Sequence, residues 1–380
     1  MHRRQFVKSV AGGAGLSLLP SWLYAGDGKA EKALKILVLG GTGFLGPHTV
    51  EYALKRGHKV TLFNRGKTNS DMFPELETVI GDRDPDKDAG LSGLQGRKGD
   101  AVIDHSGYVP RMVGASARTL AGNVGQYLFV STICQYDGWM EGAHYRTESV
   151  PRATLEDPLT EDVRTHYCEL KAYCERAVDE AAPGIVTHIR PGLIVGPLDR
   201  TDRYTYWPVR MARGGEVLAP GKPSDLTQYI DVRDLAQFMV HCVETRTAGE
   251  FNAVGMPMPW GDFLETCRTA VNPDAKLTWV PANFLAEQDI QPWRDVMMWA
   301  DSETPLSGSL SWSSQKAVDA GMTTRPGAQT ARDTLAWFRS LPEERQANLK
   351  SGLEPERETP VLSAWHSAQR SWIGERLGVG

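Results

Sequence analysis

An apolar run, Lys35-Ile36-Leu37-Val38-Leu39, passes directly into Gly40-Gly41-Thr42-Gly43-Phe44-Leu45-Gly46. Helical periodicity follows from Thr49 to Arg56, stops at Gly57, and gives way to a second apolar run, Lys59-Val60-Thr61-Leu62-Phe63. This strand–turn–helix–strand unit constrains the fold more than any other part of the chain. Unbroken apolar runs of this length suit strands covered on both faces, as in parallel sheets. A glycine-rich turn between such a strand and a helix meets the physical requirements of a dinucleotide site. Gly40 permits the tight turn, Gly43 lets the backbone approach a pyrophosphate, and Gly46 lets the helix pack closely. Thr42, Phe44 and Leu45 complete the loop, and the helix N-terminus offers free N–H groups and partial positive charge to phosphates.

The same alternation continues. Strands are expected at 77–80, 100–103, 126–130 and 184–189, with helices at 112–123 and 166–181. Strands alternating with helices specify an α/β fold, a doubly wound parallel sheet, here with a smaller α/β C-terminal substrate domain. The expected boundaries are a polar linker at 26–34 and a nucleotide domain at 35–196, to which 226–247 returns. A substrate-binding domain would take 197–225 and 248–345, and a C-terminal helical extension 346–380. The 380 residues are 41% apolar and 23% charged, with a mean hydropathy of −0.36. That excludes a membrane-embedded bundle, a fibre and a disordered tail protein. A net charge of −5 argues against a nucleic-acid partner. The five cysteines, odd in number and without Cys-x-x-Cys spacing, argue against a disulfide scaffold and a cysteine zinc site, and no metal site is expected.

The end of the second strand reports cofactor choice. A carboxylate there would bond the ribose 2′-hydroxyl and repel a 2′-phosphate. The chain has Asn64-Arg65-Gly66-Lys67 instead, two cations and no carboxylate, which favours NADP over NAD. Gly81-Asp82-Arg83 follows the third strand, where Asp82 either meets the adenine amino group or makes an ordinary turn. Tyr167 and Lys171 stand at i and i+4, on one helical face. An ammonium near a phenol stabilises phenolate and makes Tyr167 a usable acid/base. Ser131 and Thr132 end a buried strand at its carboxyl edge, where open α/β sheets bind ligands. Thr132 could hold the reacting oxygen while Tyr167 exchanges its proton.

Five landmarks in order then carry a resemblance: Gly40-x-x-Gly43-x-x-Gly46, Gly81-Asp82, Ser131-Thr132-x-x-x-Tyr136, Tyr167-x-x-x-Lys171 and Arg190-Pro191-Gly192-Leu193-Ile194-Val195-Gly196-Pro197. From about residue 35 to 250 the chain resembles the extended short-chain dehydrogenase/reductase superfamily, in its NAD-dependent epimerase/dehydratase branch. The likeness implies a Rossmann-like sheet and a catalytic set of Thr132, Tyr167 and Lys171, with Lys171 also binding ribose. It places Ser106, Gly107, Ser131, Pro191, Gly192 and Ile194, with Arg83, along the cofactor. Candidates to meet substrate are Tyr108, Thr132, Tyr206, Trp207, Arg210 and Gln228, with Tyr204 and Arg213; the alternative reading makes most of these aromatics core or interface residues. Aromatic faces suit sugars or flat phenolic rings, and arginine suits phosphate or carboxylate. Ile133-Cys134 stands where sugar-nucleotide dehydratases carry Asp-Glu, which disfavours dehydration. Cys168 is expected to be a buried thiol with no redox role. Relatives of this kind often dimerise through the helix carrying Tyr-x-x-x-Lys, so a homodimer is an expectation.

The first 25 residues read as an address. Arg3-Arg4-Gln5-Phe6-Val7-Lys8 precedes a weakly apolar run ending near Tyr24-Ala25. It resembles the twin-arginine export signal, with His2 where Ser or Thr is usual, and implies the twin-arginine machinery as a partner and a periplasmic or otherwise exported enzyme. No membrane span is expected after processing. Without a functional leader the protein would stay cytoplasmic. A route for folded proteins carries the cofactor with the protein, and a net dehydrogenase without a nicotinamide supply would turn over once. Epimerisation or ping-pong exchange on a hydroxylated small molecule, most simply a sugar or glycoside, survives that limit. The competing expectations are a net NADPH-dependent reductase of a phenolic or keto substrate, and a degenerate binding protein without catalysis.

Overall fold

The structure, a computed structural model, describes residues 28–377; the leader at 1–25 lies outside the described residues. The first half alternates as β1 (Lys35–Leu39), α1 (Leu45–Lys55), β2 (Lys59–Asn64), β3 (Glu77–Ile80), β4 (Ala101–Asp104), α2 (Pro110–Leu120), β5 (Tyr127–Val130), α3 (Val163–Ala181) and β6 (Val186–Pro191). The second half holds β7 (Ile194–Val195), α4 (Tyr206–Arg213), β8 (Glu216–Pro220), β9 (Leu226–Thr227), β10 (Ile230–Asp231), α5 (Val232–Thr245), β11 (Gly249–Ala253) and β12 (Met258–Pro259). It continues with α6 (Trp260–Val271), β13 (Lys276–Val280), α7 (Ala282–Glu287), α8 (Gln315–Asp319), α9 (Gly327–Arg339), α10 (Glu343–Ala347) and α11 (Pro355–Leu377).

Seven strands form one sheet in the order β3-β2-β1-β4-β5-β6-β11, and every pairing is parallel. Side chains alternate between the faces. Ile36, Val38, Leu62, Ile103 and Leu128 pack with Leu235 and Met239 of α5 on one face. Leu37, Leu39, Phe63, Val102 and Phe129 pack with Val113 of α2 and Val178 of α3 on the other. Both faces of the inner strands are dry, which is why β1, β4 and β5 read as largely apolar runs, while the edge strand β3 is mostly exposed. Strand order reverses between β1 and β4, so a crevice opens at their carboxyl ends.

The structure departs from the expected boundaries at the outer strand and at the C-terminus, where Leu353, Val361 and Leu362 of the expected extension are buried in the second lobe's core. The outer strand is β11, just beyond the 226–247 return, and Ala317 and Met322 are buried in the nucleotide-domain core. Two stretches assigned to the substrate domain thus complete the sheet domain. The remainder forms a second lobe around the parallel pair β8–β13, with α4, α6 and α9 packed together. Its core is aromatic. Trp207 meets the Trp260 ring edge-on at 5.0 Å, and Trp260 stacks on Phe263 at 5.0 Å. Among the described residues no helix is long and apolar enough to cross a membrane, and no group of three or more His, Cys, Asp or Glu could hold a metal ion.

Candidate active site

A cavity of about 550 Å³ opens at the carboxyl ends of β1, β4, β5 and β6. The glycine turn forms one wall. Gly40 and Gly41 have φ of +104° and +89°, the left-handed region that side chains avoid. A Cβ on Gly46 would lie 2.5 Å from the backbone of Gly41, so the helix packs onto the turn only through glycine. Nothing lies within 4 Å of a Cβ built on Gly43. The space on that side is open and leaves room for a ligand to approach. The first turn of α1 has no side-chain cap, so its N–H groups are free for an anion. These features fit a nicotinamide dinucleotide.

Gly40, Gly43, Phe44, Leu45, Gly46, Ser106, Ser131, Pro191, Gly192 and Ile194 line the cavity. The Oγ of Ser131 is buried without a partner. Thr42 lies behind the turn, where its carbonyl accepts from Asn69 Nδ2 at 2.8 Å. Asn64 Oδ1 accepts from Gly66 N at 2.8 Å, which folds the end of β2 into a turn bearing the exposed Arg65 and Lys67. Asp82 caps Asp84 N at 3.0 Å, the ordinary-turn reading. Arg83 pairs with the buried Asp104 and is therefore engaged in the protein interior. The Gly107 carbonyl accepts from Lys171 Nζ at 2.7 Å.

Thr132, Tyr167 and Lys171 share the cavity. Thr132 leaves β5 in extended conformation, and its Oγ1 accepts from Cys134 N at 3.2 Å. Regular helix begins at Tyr167, because His166 has non-helical angles (φ −119°, ψ 32°). Tyr167 lines the cavity and is 37% exposed. Burial pushes that phenol up to about 12, and the opposing cation is Arg203. Lys171 is 2% exposed. Its ammonium donates to Gly107 O and, at 2.5 Å, to Val130 O, over the face of Phe129 at 4.2 Å. Burial pulls Lys171 down to about 8. The expected lowering of the tyrosine by this lysine is thus not what the structure shows. The lysine is turned to two carbonyls and the phenol stays high.

The substrate candidates divide. Tyr108 lines the cavity, its ring 6.2 Å from that of Tyr167. Gln228 also lines it, but its amide is committed to Gly255 O, Trp312 O and Trp312 N. Tyr206 and Trp207, with Tyr204, are instead core residues of the second lobe, at most 3% exposed. Arg210 is bound to Glu358 at 2.6 Å and to the Gly214 carbonyl, and Arg213 is exposed outside the cavity. An aromatic residue packs a core as readily as it stacks on a ligand, and residue type alone did not separate the two. Sequence reasoning missed Trp139, Asp199, Thr201, Arg203 and Trp293, all on the cavity wall. The signal for three of them was position, since Asp199-x-Thr201-x-Arg203 begins two residues past Pro197 of the Gly196-Pro197 landmark.

The cysteine expectation is also corrected. Cys134 and Cys168 form a disulfide, with Cα atoms 5.1 Å apart across 34 residues. Cys134 lies two residues past Thr132 and Cys168 immediately past Tyr167, and both line the cavity. The bond ties the two reacting segments together. Cys174, Cys242 and Cys267 remain free buried thiols.

Comparisons with known proteins agree with this geometry. The chain is 25% identical over 325 residues (80% of this chain, 82% of the relative) to the chloroplast stem-loop binding protein of 41 kDa b of Arabidopsis thaliana. It is 30% identical over 258 residues (63% and 76%) to 2-alkyl-3-oxoalkanoate reductase of Stenotrophomonas maltophilia. Among solved structures, the Bordetella bronchiseptica enzyme WbmH in complex with NAD+ matches with a TM-score of 0.57 and 17% identity, over 81% of this chain and 99% of that one. The UDP-N-acetylglucosamine 4-epimerase of Bacillus cereus matches with the same score and 16% identity, over 81% and 100%. These two likenesses show the fold. The model of the NAD dependent epimerase/dehydratase family matches residues 36–254, more than half of the chain, and the protein belongs to that family of nicotinamide-dependent enzymes.

Proposed function

We propose that the protein is an exported enzyme that moves hydride between a retained nicotinamide dinucleotide and a hydroxyl or keto carbon of a sugar- or glycoside-like molecule, as an epimerase or a ping-pong oxidoreductase. One observation carries this reading. The glycine turn, the uncapped helix and the Thr132, Tyr167, Lys171 set open onto a single cavity. The dinucleotide, when bound, supplies hydride uptake and return. Thr132 Oγ1 orients the reacting oxygen, and Tyr167 takes its proton or gives it back. Arg203 opposes the burial that disfavours phenolate. Lys171 uses two of its three donors on fixed carbonyls and keeps one for a ribose hydroxyl.

Two features support export: the Arg3-Arg4 leader pattern, and a disulfide, a bond that persists in oxidising compartments. Arg65 and Lys67 at the end of β2, with no carboxylate there, support NADP over NAD. Mass spectrometry of nucleotides released on denaturing the mature protein tests the reading. A retained nicotinamide dinucleotide is the expected result, and protein that carries none and binds none sinks it.

A net NADPH-dependent reductase of a keto substrate is the second reading. Burial keeps Tyr167 a phenol, hence a proton donor, and one relative is named a reductase. Steady NADPH consumption with a candidate ketone marks the reductase, whereas an epimerase shows no net turnover of cofactor.

A further inference from the structure

The cavity wall holds polar atoms that the protein leaves unmatched. Asp199 is 1% exposed. Its Oδ1 accepts from Thr201 N at 2.8 Å and from Thr201 Oγ1 at 2.7 Å, while its Oδ2 is buried with no partner. Thr201 Oγ1 in turn accepts from Arg203 Nε at 3.0 Å. That bond orients a guanidinium whose other nitrogens have no hydrogen-bond partner among the described residues. Trp293, on the same wall, has a buried indole N–H with no partner. Buried polar atoms are nearly always satisfied, so an orphan acceptor and an orphan donor on one cavity point to a ligand carrying both functions.

The loop that carries Asp199, Thr201 and Arg203 is tied to the C-terminal segment. Asp202 accepts from Arg345 NH2 at 2.6 and 2.7 Å and from Lys350 N at 2.9 Å. Arg203 and Tyr167 line the same cavity.

We infer that the cavity selects a neutral polyhydroxylated ring, one hydroxyl of which donates to Asp199 Oδ2 while another accepts from the Trp293 indole N–H. This rests on the hydride-transfer reading of the cavity. A hydroxyl both donates and accepts, which matches the orphan pair. A keto acid would set its carboxylate beside that of Asp199. A nucleoside diphosphate would bring two phosphates to a wall whose cations are Lys171, committed to carbonyls, and Arg203 alone.

The test is saturation-transfer NMR on the full-chain protein with its nucleotide. The probes are the methyl glycosides of glucose, galactose and mannose, 3-oxohexanoate, and UDP-glucose. At least one methyl glycoside should bind. Asp199→Asn should weaken that binding about tenfold or more, and Trp293→Phe, which keeps a ring but removes the N–H, several-fold, with retained nucleotide unchanged in both. Three results overturn the inference: no glycoside binds, glycoside binding is equal in Asp199→Asn and Trp293→Phe, or 3-oxohexanoate binds and does so more tightly in Asp199→Asn. If Asp199→Asn does not fold, Trp293→Phe decides alone. Any of these results with nicotinamide still bound leaves hydride transfer standing. A protein that binds no nicotinamide removes both.

Discussion

The carboxyl edge of the sheet and the lobe beyond residue 197 are built by different means. At the sheet edge the ligand-facing surface is largely backbone: positive-φ glycines, the free N–H groups of α1, and the carbonyls of Gly107 and Val130 that hold Lys171. In the lobe the work falls to side chains. Trp207, Trp260 and Phe263 fill its core, while Asp199, Arg203 and Trp293 face the cavity. A backbone surface changes little with substitution and suits an invariant ligand such as a dinucleotide. A side-chain surface changes one residue at a time, so substrate choice is written there.

The largest effect that would sharpen this contrast is Tyr167→Phe. It should lower turnover by roughly 10²–10⁴-fold while nucleotide retention, measured on the purified variant, stays the same. Unchanged turnover would point to a binding protein. In the lobe, Trp207→Ala should cost about 3–5 kcal/mol of stability, seen as a lower melting temperature, and leave KM near the parent value. If KM rises at constant stability, the residue touches substrate after all and the contrast breaks.

Opening the disulfide lies between the two regions. Closing a loop of 34 residues is worth about 3–4 kcal/mol in the chain-entropy account. Cys134→Ser, or reduction of the native protein, should lower the urea midpoint accordingly and slow turnover, because Thr132 is no longer tied to the Tyr167 helix. An unchanged midpoint after verified reduction would mean that packing alone sets the geometry.

Lys171 gives a smaller, pH-dependent signal. Its folded value of about 8 lies below the ordinary 10.5, so the native state binds that proton more weakly than the unfolded chain. The destabilisation is full below pH 8 and fades as pH rises toward 10.5. The stability difference between Lys171→Met and the parent should shrink across that window. A constant difference would show that the two carbonyls fully offset the burial. Smallest of all, Arg65→Ala with Lys67→Ala should shift the NADP:NAD affinity ratio toward NAD by about tenfold, read by competition for the emptied site.

What was legible in the sequence followed from repetition and order. β1, β2, β4 and β5 are largely apolar runs near the expected places, because strands dry on both faces carry little polar alternation, whereas β3 is mostly exposed and β6 buries Thr187, His188 and Arg190. The glycine turn was legible because few physical reasons place three glycines between a strand and a helix. The disulfide was not, because Cys134 and Cys168 meet only when the end of β5 abuts the start of α3. Nor was the separation of Trp207 from Trp293. Both are tryptophans of the second half, yet Trp207 packs within the lobe and Trp293, itself at φ 63°, lines the cavity. The outer strand β11 lay two residues past the expected boundary, for want of a run as apolar as those of the inner strands.

The Cys134–Cys168 bond spans a largely exposed stretch, which includes Leu159 at 88% exposure. A protease that cuts this excursion severs the chain between its threonine and its tyrosine. The fragments nonetheless stay covalently joined, with each reacting group still attached at its own side of the crosslink. In surroundings rich in proteases, a nicked molecule would remain one molecule with its reaction centre assembled, and only a reductant would release the halves.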